Sequence, residues 1–212
     1  MNGYFITGTD TGVGKTLAAA VITLAHAAFY WKPVQSALVE ELADSVHVQN
    51  LTGLQDENFL PSTYALQAVL SPNQAARLEG VNIDIKNCKI PAEKSPLIIE
   101  GIGGIFVPFC EKTSVVDMMQ QYNFPVIIVA RGTLGTINHT LMTIEVLRQR
   151  NIKVHGVIFS GELNPENQHN IETHSGVNTL FHIPYFENLD PQTLQNWVQA
   201  NRQKIIEACP CP

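Results

Sequence analysis

Between Gly8 and Thr16 the chain reads Gly-Thr-Asp-Thr-Gly-Val-Gly-Lys-Thr, directly after the apolar Tyr4-Phe5-Ile6 and before a helix-favouring stretch from Thr16 to about Ala27. A strand, a glycine-rich turn and a helix in immediate succession leave few folds open. Glycines let backbone N–H groups face phosphate oxygens, and the start of the helix adds partial positive charge. The segment closes on Gly-Lys-Thr as a phosphate-binding P-loop does, although five residues rather than four separate Gly8 from Gly14. In such a loop Lys15 holds the outer phosphates of a nucleoside triphosphate, and the Thr16 hydroxyl is a ligand of Mg2+. Spacing and context favour this over a plain glycine-rich turn with an incidental lysine, but leave the reaction open.

The remaining apolar runs supply a sheet. Phe29–Val34, Pro96–Ile99, Pro125–Ala130, Val154–Phe159 and Thr179–Ile183 read as strands, and Thr140–Arg150 as a helix. The strands are nearly continuous Val, Ile, Leu and Phe without polar alternation, the pattern of strands covered by helices on both faces. The expected fold class is α/β, a doubly wound, mostly parallel sheet flanked by helices, with ligands beyond the carboxyl ends of the strands. With 212 residues, 45% of them hydrophobic, and no repeat or linker, a single domain over residues 1–212 is expected. One boundary is anomalous. The first helix runs through Ala27-Ala28 into Phe29-Tyr30-Trp31 without the Gly, Asn or Pro that usually ends a helix. Either that connection is very short or residues are absent from it.

Charge and cysteine usage narrow the function. Thirteen Lys and Arg against nineteen Asp and Glu give a net charge of −6, and no stretch clusters basic residues as a nucleic-acid partner requires. No basic leader precedes the first strand, and the longest apolar run, Leu17–Trp31, falls short of the roughly 20 residues that span a bilayer. A cytoplasmic protein without a membrane partner is expected. Cys88 and Cys110 are isolated, and Cys209-Pro-Cys211 reads as a solvated tail rather than a metal or redox pair. His169 and His174, five apart, do not share a helix face as metal ligands would.

Three further residues are candidates for chemistry. Glu100 ends a buried strand and opens Glu-Gly-Ile-Gly-Gly; its carboxylate could bind Mg2+, directly or through water, or cap a helix. Asp44, in Ala-Asp-Ser, is a metal ligand or a surface acid. Lys32, in Lys-Pro-Val-Gln-Ser, is a solvated edge residue or a cation that stabilises a transferring phosphoryl group.

Taken together, Tyr4–Thr16 (YFITGTDTGVGKT), Lys32–Ser36 (KPVQS), Ser71-Pro72, Leu97–Pro108 (LIIEGIGGIFVP), Pro125–Ala130, Leu134–His139 (LGTINH) and Ile183-Pro184 resemble the dethiobiotin synthetases, ATP-dependent ligases with a P-loop nucleoside-triphosphatase fold. The resemblance implies the family's reaction. CO2 joins 7,8-diaminopelargonate (7,8-diaminononanoate) as a carbamate, ATP phosphorylates it to a carbamic-phosphoric anhydride, and the second amine closes the ring with release of ADP and phosphate. It implies Mg2+ as cofactor, ATP and CO2 or bicarbonate as co-substrates, and a homodimer with the site at the interface. Carried over residue by residue, Thr16, Asp44 and Glu100 match the Mg2+ ligands, and Lys15, Lys32 and Thr11 the catalytic groups. Thr11, Lys32 and Ser36 line the diamine and carbamate site. Gly12, Val13, Gly14, Lys15, Thr16, Leu17, Asp44, Glu100, Gly101, Ile102, Gly103, Pro184, Tyr185 and Phe186 match nucleotide contacts. Gly135 and Asn138, in the LGTINH helix start, match the receptor of the substrate carboxylate, where a helix N-terminus suits an anion; His139 there is structural.

The chain departs from the family in three places. Gly12 replaces the Glu of some relatives. Ser160 stands for the Asn that reads adenine, and a hydroxyl lacks an amide's paired donor and acceptor, so relaxed base selectivity is expected. The connections from Thr16 to Lys32 and from Lys32 to Asp44 are short. A cobyrinate-type amidoligase shares the fold, but its fused glutaminase domain has no room in this chain. A partitioning-type switch ATPase carries a second lysine where this chain has Asp10.

Overall fold

The computed structural model describes residues 2–39, 42–91 and 93–211. Along the chain run β1 (Gly3–Gly8), α1 (Lys15–His26), β2 (Phe29–Trp31), β3 (Val34–Gln35), α2 (Asp44–Thr52), β4 (Phe59–Leu60), β5 (Tyr64–Ala65) and α3 (Pro72–Glu79). There follow β6 (Leu97–Glu100), α4 (Val115–Tyr122), β7 (Val126–Arg131), α5 (Thr136–Gln149), β8 (Val154–Ser160), α6 (Pro165–Ser175), β9 (Thr179–Ile183) and α7 (Pro191–Ala208). Seven strands form one sheet in the order β4-β2-β6-β1-β7-β8-β9, every pair parallel.

Alternation along the strands divides the core. Phe5, Leu97, Ile99, Ile128 and Ala130 face α3, α4, α5 and α6, whereas Tyr4, Ile6, Ile98, Ile127 and Val129 face α1, α2 and α7. In α1 the alanines at 18, 19, 20 and 25 are buried, and their small side chains let the helix lie close to the sheet. The strand expected over Phe29–Val34 is broken. Pro33 has no N–H for the ladder, and its carbonyl accepts from Thr63 and Tyr64 N–H at 2.9 and 3.1 Å. The chain therefore leaves the main sheet after Trp31 and pairs again as β3 with β5. The helix expected from Thr140 begins a turn earlier, at Thr136. Helices α3, α6 and α7 carried readable start signals in Ser71-Pro72, Asn164-Pro165 and Asp190-Pro191; Asn164 accepts from Glu166 and Asn167 N–H, and Asp190 from Thr193 N–H.

The junction after α1 is short. Ala27 takes the left-handed conformation (φ 49°, ψ 40°), its N–H bonds Leu24 O at 3.3 Å, and Ala28 N–H bonds Thr23 O at 2.9 Å. This is a glycine's position occupied by alanine, at a cost of about 1 kcal/mol. Ala27→Gly is expected to raise stability by up to about 1 kcal/mol, read as a higher urea midpoint at unchanged slope. Part of the Lys32–Asp44 connection, residues 40 and 41, lies outside the described residues.

The C-terminal cysteines are not a solvated tail. Cys209 is fully buried, Cys211 packs against the α1 side of the core, and Tyr4 O–H donates to Pro210 O at 2.8 Å. Burial pushes the thiols up to about 12 and about 11, which holds both protonated. Among the described residues, no helix is long and apolar enough to cross a membrane.

Candidate active site

The carboxyl ends of β1, β2 and β6 meet at one edge of the sheet, and register decides what stands there. Trp31 pairs with Ile99, so the next residues, Lys32 and Glu100, sit side by side. Ile6 pairs with Glu100, so the loop that follows β1 rises beside both. Strand alternation turns Tyr30, Lys32 and Glu100 to the α1 face, where Thr16 lies in the first turn of the helix.

These groups form one network. Tyr30 O–H donates to Glu100 Oε2 at 2.8 Å, and Lys32 Nζ donates to Glu100 Oε1 at 3.0 Å and to Asp44 Oδ2. Thr16 Oγ1 lies 2.9 Å from Glu100 Oε1 and 3.0 Å from Asp44 Oδ1. Asp44 begins α2, and its backbone N–H donates to Gln35 Oε1 at 3.2 Å, which ties the helix start to β3. Lys32, with 4% of its surface exposed, is no solvated edge residue, and Asp44 is no free surface acid.

Burial alone would lower the Lys32 ammonium, but the Glu100 and Asp44 carboxylates beside it raise it above the ordinary lysine value. Burial pushes the Asp44 carboxyl up, and the Lys32 ammonium and Thr16 hydroxyl outweigh that, holding it below the usual carboxylate range. For Lys15 burial wins: it outweighs the Glu100 carboxylate, with the Lys32 charge on its side, and takes the ammonium down to about 8; its Nζ donates to Asp10 O at 3.0 Å. The Asp10 side chain accepts from Thr11 N–H at 2.7 Å and from Arg131 at 3.1 Å, which braces the loop.

A cleft of about 790 Å3 opens over this network. Thr11, Gly12, Gly14, Lys15, Thr16, Leu17, Lys32, Ser36, Asp44, Glu100, Ile102 and Gly103 line it, so most of the expected site converges. Val13 instead points into the core, and Gly101 packs against Phe5, with its N–H on Ile6 O at 2.9 Å. Ser160 does not line the cleft but packs against Gly14 of the loop. A Cβ on Gly14 (φ 94°) would stand 2.4 Å from Ser160 Oγ and 2.8 Å from its Cβ. Gly14→Ala is therefore expected to weaken binding of a fluorescent ATP analogue by about tenfold or more; an unchanged Kd would mean the loop accommodates the methyl group.

Pro184–Phe186 follow β9 outside this lining; Tyr185 is exposed and Phe186 packs edge-on against Trp197, ring centroids 6.1 Å apart. Gly135 and Asn138 stand exposed at the start of α5. Their helix borders a second, largely apolar cleft of about 840 Å3, lined among others by Asp10, Phe106, Val107, His139 and Met142. Sequence reasoning did not single out Tyr30, Gln35 or Arg131. Tyr30 could have been found, because it lies two residues before Lys32 on a strand and so shares its face.

An AAA domain family profile matches residues 2–193. The chain is 43% identical over 192 residues to the ATP-dependent dethiobiotin synthetase BioD of Brucella anthropi, covering 91% of this chain and 90% of that one. It is 44% identical over 195 residues to the biotin biosynthesis bifunctional protein BioCD of Bordetella avium, covering 92% of this chain but 42% of that longer protein. A putative plasmid partition protein from Borrelia burgdorferi, bound to AMPPNP, superposes with a TM-score of 0.58 over 97% of this chain and 98% of that one; at 12% identity the likeness is one of fold. Identity at this level over almost the full length of a synthetase settles the relationship that the fold alone leaves open: this chain belongs to the ATP-dependent dethiobiotin synthetase family.

Proposed function

We propose that residues 1–212 act as one catalytic domain that makes dethiobiotin, carboxylating 7,8-diaminopelargonate with CO2 and closing the ring at the expense of ATP. The observation that carries this reading is the convergence of Lys15, Lys32, Thr16, Asp44 and Glu100 on one cleft, beside a second cleft that is mainly apolar. The reaction gathers a triphosphate, a carbamate and a long aliphatic acid. The first cleft offers two ammonium groups to the anionic reactants, and positioning with electrostatic stabilisation accounts for the rate. Thr11 and Ser36 reach the same cleft and would orient the carbamate. Phe106, Val107 and Met142 suit the aliphatic chain, and the exposed start of α5 at Gly135 and Asn138 suits its carboxylate.

The hydroxyl of Thr16 and the carboxylates of Asp44 and Glu100 are hard oxygen donors, each carboxylate within 3.0 Å of Thr16 Oγ1, a set that fits Mg2+. When bound, Mg2+ supplies positive charge to the phosphate oxygens. The nucleotide base would lie toward Pro184–Phe186 and Ser160. Leu134, Phe106 and Met142, with 100%, 61% and 52% of their surfaces exposed, give the α5 face the apolar character of a subunit interface, and a cytoplasmic homodimer is the assembly we propose.

The test is ADP release with Mg-ATP and bicarbonate, with and without the diamine, with dethiobiotin followed by mass. Release that depends on both establishes the reading; release indifferent to the diamine removes it. Lys15 adds a check on the phosphate assignment. A lysine at about 8 is largely neutral at pH 8.5, and the phosphates draw it back to the charged form. Nucleotide binding at pH 8.5 should therefore take up protons, and uptake should vanish near pH 6.5, where Lys15 is already charged. Calorimetry in buffers of different ionisation enthalpy reads this directly, and binding without uptake at pH 8.5 would mean Lys15 does not face the phosphates.

A further inference from the structure

Lys32 occupies an unusual place for a group that is to act on a substrate. Its ammonium is buried and already committed, in contact with both Asp44 Oδ2 and Glu100 Oε1. The same two carboxylates face Thr16 Oγ1 at 3.0 and 2.9 Å. One hydroxyl carries one proton and can serve only one of them at a time. Two negative charges and a hydroxyl oxygen thus share a small volume with a single positive charge on a side chain. Oxygens gathered so closely demand a cation, and two cations drawing on the same oxygens repel each other strongly in so buried a setting.

We propose that Lys32 is the built-in cation of this site and exchanges with the divalent metal: the ammonium holds Asp44 and Glu100 together until the metal takes their oxygens, and is thereby released on its flexible stem into the cleft. This rests on the reading of Thr16, Asp44 and Glu100 as metal ligands. It gives Lys32 two successive partners and sets an order. The carboxylates stay charged and close without mutual repulsion, and the lysine becomes available to the transferring group only once the metal is in place. Lys32 lies at the junction that makes this possible, since it lines the same cleft as Lys15 and stands one residue beyond the last sheet pairing of β2.

The test uses the full chain, free of nucleotide, with Mn2+ as the probe and its binding read by electron paramagnetic resonance. Lys32→Met removes the ammonium and keeps the length of the stem. Because the competing cation is gone, the variant is expected to bind Mn2+ roughly tenfold or more tightly than the unaltered chain. Equal or weaker binding would overturn the proposal, because a lysine that merely braces the acids leaves a less well-formed metal site when removed. A variant that fails to fold without a cation is expected to fold on adding Mn2+, by circular dichroism; failure to do so would count against the exchange. A second measurement needs no variant. In protein labelled with 15N-lysine, the slowly exchanging Nζ signal of the buried ammonium is expected to be lost or shifted as Mg2+ saturates the site, and its persistence unchanged would overturn the exchange. Diamine-dependent ADP release tests the ligase reading separately, so the exchange stands or falls on the metal-binding and lysine signals.

Discussion

Lys15→Ala is expected to lower diamine-dependent ADP release by about a thousandfold or more, the scale on which removal of a charge-stabilising donor acts in acyl and phosphoryl transfer. Lys15 opens α1 directly after Gly14, so its stem is fixed at the helix start and its Nζ is held near the loop by the carbonyl of Asp10 at 3.0 Å. Lys32 does not take its place, because it follows β2 beside Glu100 and is not part of the loop. Alanine is the best helix former, so α1 should persist and the loss should reflect the missing ammonium. Unchanged far-ultraviolet circular dichroism with a collapsed rate would support that account. A rate within tenfold of the unaltered enzyme, at saturating Mg-ATP, would remove Lys15 from the phosphate site.

The second large effect is on stability. Glu100 is almost wholly buried and accepts from Tyr30 and Lys32, with Thr16 Oγ1 at 2.9 Å. Glu100→Ala leaves the buried Lys32 with Asp44 alone and strands the Tyr30 hydroxyl. Breaking a buried pair from one side typically costs about 3–5 kcal/mol, and for a chain of this size that is a fall in Tm of about 10 °C or more. The double variant Lys32→Met/Glu100→Leu, which removes both charges, is expected to recover part of the loss, because the penalty lies in the orphaned charge. Urea unfolding of Lys32→Met, Glu100→Leu and the double variant measures this as a cycle. A Glu100→Ala protein within about 1 kcal/mol of the unaltered chain would mean that Lys32 finds another partner or sheds its proton.

Local signals carried the sequence reading wherever the physics was local. Gly-Val-Gly-Lys-Thr between a strand and a helix, and apolar runs such as PVIIVA, report the conformation of their own residues, and the structure has them as β1, α1 and β7. Local signals failed where a neighbour elsewhere decided the outcome. Phe29–Val34 looks like one strand, but Pro33 breaks it and the following residues find β5. Ala27 carries no stop signal and ends α1 all the same, because packing of α1 and β2 on the same sheet imposes a left-handed residue there. Cys209 looks like part of a tail and is buried, because α7 returns the chain to Tyr4 at the edge of β1.

By itself the sequence determined that this chain has a phosphate loop at the end of a buried strand, a covered sheet, and the acids and lysines for its chemistry. Only the tertiary structure decided that Thr16, Lys32, Asp44 and Glu100 share one site with Tyr30 and Gln35. Thr16 and Glu100 are 84 positions apart, and Lys32 and Glu100 are 68 apart. What joins them is the placement of β6 between β2 and β1 and the register that sets Trp31 against Ile99. Strand order and register are chosen by burial of both faces of the sheet at once, a sum over the whole chain that no stretch of it can express.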